Sequence, residues 1–128
     1  MSRPLSSLLT ALRLLAVTQL ALGIIVWTGR PVPWRGVHIG LGVAFAGLVV
    51  VLGALVARAT GRVGALLASL AWTAFLVAFG ISHQRVWPGS AHWVAQALHL
   101  LIGLATLGVA ERLAAPARRV GVVQGHRR

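Results

Sequence analysis

His38, His83, His92 and His99 lie in an otherwise strongly apolar chain whose only acidic residue is Glu111. In such a chain imidazole is the side chain best suited to chemistry. Neutral imidazole is a strong ligand for iron, and an unpartnered histidine inside a membrane is an expensive residue. There is no cysteine, which excludes disulfides, thiolate zinc sites, iron–sulfur clusters, cysteine nucleophiles and covalently attached c-type haem together. A fifth histidine, His126, lies in the basic tail at the other end of the molecule.

The spacing of these residues selects two of them. In "AHWVAQALHLLIGLATLGVAER" the residues His92, Gln96, His99, Gly103 and Thr106 recur at intervals of three and four, so they share one helical face. A polar stripe of this kind must face the interior of a bundle rather than lipid. In "WRGVHIGLG" His38 is followed four residues later by Gly42, as His99 is by Gly103, and Gly36 and Gly40 are also four apart. Small residues let helix backbones approach, and beside a histidine they also leave room for a flat ligand. If Trp34 and Trp93 mark the membrane interface, His38 lies four residues inside it and His99 six, a difference in depth of about 3 Å. Two imidazoles at one depth on facing helices can take the two axial positions of a haem iron. Two other arrangements stay open. Both histidines could be interfacial residues bonded to loop carbonyls or water, and His38, His83 and His92 could hold zinc, although no carboxylate is at hand to complete that site.

The elements that must carry this pair follow from composition. The chain of 128 residues is 58% hydrophobic and only 10% charged, with a mean hydropathy of +0.86, which points to lipid as the solvent. The uncharged runs 14–29, 36–57, 63–84 and 86–110 are 16, 22, 22 and 25 residues long, against about 20 needed to cross the hydrocarbon core as a helix. Four spans are expected, near 8–28, 36–57, 63–83 and 92–112, with Arg13 snorkelling to the interface. The first segment has no small-x-small cleavage site after it and is expected to stay.

The net charge of +11 is carried wholly by arginine. Nine arginines fall before the first uncharged run, in the second loop or after the fourth run, and three, Arg30, Arg35 and Arg85, in the other two loops. The positive-inside rule then places both termini in the cytoplasm of a multi-pass plasma-membrane protein. Trp27, Trp34, Trp87 and Trp93 fit an aromatic belt at the outer interface, with Trp72 the exception. The expected fold is all-α, an up-down-up-down membrane four-helix bundle over 1–115, followed by a basic cytoplasmic tail over 116–128. Pro116 is expected to end the fourth helix. The tail is read as topology and anionic-lipid contact rather than nucleic-acid binding.

With "TQLALGIIVWTG", "VHIGLG", "VVLGALVAR", "WPGSAHW" and "ALHLLIGL" in hand, the chain resembles one four-helix half of the haem A synthase family. Members of that family usually have two tandem halves, each with a histidine pair on its second and fourth helices, and the resemblance implies that His38 and His99 are haem ligands. It also marks a departure. The family's catalytic half carries a glutamate one turn before the first ligand, where this chain has Arg35, Gly36 and Val37. The outer cysteine pair of many members is missing too. The resemblance therefore implies a cofactor-holding half and lends no support to haem hydroxylation by this chain alone.

The leading expectation is a b-type haem membrane protein with bis-histidine ligation, in electron transfer or in haem binding and handover. In it Arg35 and Arg85 at the outer mouth pair with haem propionates, His92 lies near the site, and Gly42 and Gly103 give the porphyrin room. A homodimer or a larger membrane complex is compatible with this. The alternatives are a cofactor-free accessory subunit of a larger complex and an enzyme of the haem A synthase type that takes its missing acid from a partner chain.

Overall fold

A computed structural model describes residues 3–29, 32–86 and 89–125, and those residues are helical apart from short connections. The helices are α1 (Arg3–Trp27), α2 (Val32–Thr60), α3 (Gly64–Val86) and α4 (His92–Gly125), with a single 3-10 turn, Gly89–Ala91, leading into α4. Each of the four is long and apolar enough to cross a membrane. Gly29 after α1 and Gly61 after α2 have φ of 78° and 68°, the left-handed conformation in which a glycine ends a helix without a Cβ penalty. α2 and α4 each pack against all three other helices, whereas α1 and α3 are not packed together, so α2 and α4 form the short diagonal of the bundle.

The interior divides into two halves along its length. One is a dry apolar core built from Leu5, Leu9 and Leu12 of α1, Phe45, Val49, Leu52 and Val56 of α2, and Ala110 and Ala114 of α4. These recur at three and four residues, as one face of each helix demands. The outer faces are apolar as well, with Leu14, Val43, Ile81 and Leu101 among the exposed residues. Large aliphatic side chains pointing away from the bundle on every helix are what lipid, and not water, accommodates. α2 and α3 pack tightly at Gly53 of α2. A β-carbon there would fall 2.6 Å from Ser69 Cβ and 2.9 Å from the carbonyl oxygen of Ala65, both on α3.

Two sequence expectations are corrected here, and a third residue, Arg13, gains a partner the sequence did not indicate. α1 begins at Arg3, several residues before the expected start, because Leu5, Leu9 and Leu12 have partners to bury against. Arg13 does not simply snorkel: its Nε donates to Glu111 Oε1 at 3.0 Å, with an ion pair through Nη2 to the same oxygen. Pro116 does not end α4, which runs through it to Gly125. Proline frees the carbonyl four residues back, that of Arg112, but the flanking Ala114, Ala115 and Ala117 are strong helix formers and Ala114 is fully buried, so packing outweighs the break.

Candidate cofactor site

The other half of the bundle interior is lined by the histidine pair. His38 from α2 and His99 from α4 face each other across the short diagonal, ring centres 6.1 Å apart and planes at 71°. Each imidazole leans on a glycine of a neighbouring helix. The Cε1 of His38 lies where a β-carbon on Gly23 of α1 would come within 3.5 Å, and the Cε1 of His99 lies 3.3 Å from the corresponding position on Gly80 of α3. The missing side chains at 23 and 80 are thus the notches into which the two rings fit. The Nδ1 atoms of both rings are buried.

Two further side chains hold the pair. Gln19 of α1, one turn before Gly23, donates from Nε2 to the backbone carbonyl of His38 at 3.0 Å. Phe79 of α3 stacks against His99, with ring centres 6.3 Å apart and planes at 13°. Phe79 in turn contacts Phe75, and Phe75 contacts Trp72. The indole Nε1 of Trp72 donates to Thr106 Oγ1 at 3.0 Å, and that hydroxyl donates to the Ile102 carbonyl at 2.9 Å. Trp72, out of place in an interfacial belt, is therefore an interior strut between α3 and α4.

The expected α4 stripe does turn inward. Thr106 is fully buried, His92, Gln96, His99 and Gly103 are half-buried, and Trp93, Leu101 and Leu104 between them are exposed. Gly103 has no neighbouring atom within 4 Å of where its Cβ would be, so room remains beside it. Gly42 differs. Its Cβ position lies 2.8 Å from Gln19 Nε2, so the space there goes to the glutamine and not to a ligand. Gly36 and Gly40 have open space around them and face outward, which makes them no part of the packing inside the bundle. Arg35 and Arg85 are exposed near the start of α2 and the end of α3. The His83 side chain, Arg30, Trp87 and His126 lie outside the described residues. Among the described residues no three His, Asp or Glu side chains come together as a metal site, and Glu111 is engaged by Arg13.

The pair can be tested against an iron. With a metal–nitrogen bond of about 2.0 Å and a ring centre about 1.1 Å behind the nitrogen, two trans imidazoles stand about 6.2 Å apart. The observed ring-centre distance of 6.1 Å is of that size. Ring planes at a steep mutual angle are compatible with axial ligation, since each imidazole can turn about its own metal–nitrogen axis. Two neutral nitrogen donors with no carboxylate or thiolate suit a haem iron better than a bare cation, because the porphyrin supplies the other four ligands and the balancing charge. Gln19, Gly23, Phe79 and Gly80 were not singled out from the sequence. "TQLALG" and "AFGISH" contain them, but a one-helix pattern does not tell which residue of another helix a histidine will meet. Comparison of the chain with protein-family models, curated proteins and solved structures finds no match.

Proposed function

We propose that the chain is a multi-pass plasma-membrane protein that binds haem b between His38 and His99, for electron transfer or for haem binding and handover. The observation that carries this reading is the interior His38–His99 pair at a ring separation that fits two axial ligands of one iron. His38 and His99 would hold the haem, which would supply a one-electron couple. The chain's own residues orient the rings, through Gly23, Gly80 and Phe79, and keep lipid and water from the Nδ1 atoms. Arg35 and Arg85 are the cations available to propionates at the mouth.

An up-down-up-down course with both termini in the cytoplasm goes with this reading. Its support is the order of contacts, Gly23 with His38 then Gln19 with Gly42 between α1 and α2, and Gly80 with His99 then Trp72 with Thr106 between α3 and α4. The nine-to-three arginine split supports the orientation. The relationship to one half of a haem A synthase is part of the same proposal. Catalysis of that type gains nothing from Glu111, which is bound to Arg13 and lies about 18 Å along α4 from His99.

A cofactor-free accessory subunit is the second reading, favoured by the open, outward-facing Gly36, Gly40 and Gly47 on α2, a surface on which another helix could pack closely. A visible spectrum of the purified, haem-supplemented protein separates the two. The haem reading expects a six-coordinate low-spin spectrum that His38→Ala and His99→Ala each abolish or convert to high spin, with His126→Ala silent. A colourless protein, or both alanine variants unchanged, gives the accessory reading its place.

A further inference from the structure

We propose that Gln19 is the positioning residue of His38, its side-chain amide holding the His38 backbone carbonyl through Nε2 and, when His38 Nε2 ligates iron, the His38 Nδ1–H through Oε1. This rests on the haem reading above.

The first half of the contact is in place: Gln19 Nε2 donates to the His38 carbonyl at 3.0 Å. That carbonyl already has a helical partner in prospect four residues on, so α2 has no need of the glutamine for its own sake. The contact also depends on Gly42, where any β-carbon would press on the amide nitrogen at 2.8 Å. The second half is the other end of the same amide. Gln19 Oε1 is buried with no hydrogen-bond partner, an expensive state for an acceptor in a dry interior. It lies beside a histidine whose Cε1, the atom between the two ring nitrogens, rests on Gly23 one turn along from Gln19, and whose Nδ1 is buried in the same interior.

The chemistry of ligation completes the arrangement. A metal-bound imidazole donates its remaining N–H to an acceptor, and that bond fixes the tautomer, the ring orientation and the basicity of the ligand. The usual acceptor is a carboxylate or a carbonyl. The only carboxylate here is held by Arg13, and Gln19 Oε1 is an acceptor available on the His38 side. The two ligands are not equivalent in this respect. Gly80, the notch for His99, is preceded by four residues by Leu76 where Gly23 is preceded by Gln19, and Leu76 is buried in the apolar core. The α1 side thus offers its histidine an amide and the α3 side a hydrocarbon.

The test uses full-length protein in detergent, haem-loaded and labelled with 15N-histidine. The reduced low-spin form is diamagnetic, so the Nδ1–H of each ligand is observable by NMR. Gln19→Leu should move the His38 Nδ1–H resonance, leave that of His99 in place, and speed loss of haem to a scavenger protein about 10- to 100-fold. Gln19→Glu, which keeps an acceptor oxygen but gives up the donor to the His38 carbonyl, should return a hydrogen-bonded His38 Nδ1–H and recover part of the retention. The inference is overturned if Gln19→Leu changes neither resonance nor retention. It is equally overturned if Gln19→Leu and Gln19→Glu lose haem alike with the His38 resonance unmoved, which assigns Gln19 to helix packing alone. A wild-type protein that takes up no haem sinks the haem reading itself, and that is seen before any variant is made.

Discussion

The bundle has two kinds of glycine, and they differ in what a side chain would meet. At Gly80 a β-carbon lies 3.3 Å from His99 Cε1, so the site is full, whereas at Gly103, also beside the pair, nothing stands within 4 Å. If the free volume at Gly103 receives a porphyrin edge, Gly103→Leu fills it. The expected result is a thermal stability of the haem-free protein within about 1 kcal/mol of wild type, since the space is open, together with at least tenfold weaker haem retention. Loss of stability in the haem-free protein of several times that size would show that the space closes up in solution. Gly53 is the opposite case. It touches no candidate site, but Gly53→Ala drives a methyl into Ser69 and the Ala65 carbonyl, backbone that cannot swing aside. Overpacking of that kind costs about 1–3 kcal/mol, so Gly53→Ala should lower the melting temperature while Gly47→Ala, in open space, should not.

At the scale of the helices, much of the molecule was legible in the sequence. Charge-free run length gives the number of helices long enough to span, because a helix satisfies its own backbone groups in lipid, and three-and-four spacing tells which face of α4 turns inward. The depth of His38 and His99 could be read against Trp34 and Trp93. What could not be read were the partners of each side chain across a helix interface: Gln19 and Gly23 for His38, Phe79 and Gly80 for His99, Glu111 for Arg13. Those depend on the relative rotation and shift of two helices, and neither helix's own periodicity carries that information. Pro116 was misjudged for a related reason, since local propensity was weighed without the burial of Ala114.

The Arg13–Glu111 pair gives the clearest test at this scale. Arg13 lies well inside the Pro4–Trp27 span, and a lone arginine near a span centre costs about 2.5–3.5 kcal/mol on insertion scales. Glu111→Leu leaves that charge uncompensated and should lower both membrane insertion and melting temperature. Arg13→Leu combined with Glu111→Leu removes both charges and should recover most of the loss. Equal defects in the single and double variants would mean that the pair contributes nothing and that Glu111 acts elsewhere. The end of α4 separates in the same way. Leu113 and Ala117 pack on the core and Ala114 belongs to it, so truncation after Arg112 should destabilise the bundle, whereas truncation after Arg119 should leave insertion and haem content intact.

For the whole molecule, the decisive quantity is orientation, because it says from which side the histidine pair is approached. His38 is close to the start of α2 and His99 close to the start of α4, while the apolar core of Leu5, Leu9, Val56 and Ala114 fills the other end. The bundle is therefore polar and glycine-notched at one end and sealed by hydrocarbon at the other. The arginines Arg58, Arg62 and Arg112 belong to the sealed end. If the positive-inside rule holds, that end faces the cytoplasm and the histidine pair lies toward the outer face, which on the proposed haem reading is the side from which a redox partner or haem acceptor would reach it. An engineered cysteine at Ser90, in a chain with no cysteine of its own, should react with a membrane-impermeant maleimide added to intact cells, and one at Gly61 should react only after lysis. The opposite pattern would invert the bundle and bring the histidine pair to the cytoplasmic face, with Arg58, Arg62 and Arg112 of the sealed end outside, against the rule that argues for the present orientation.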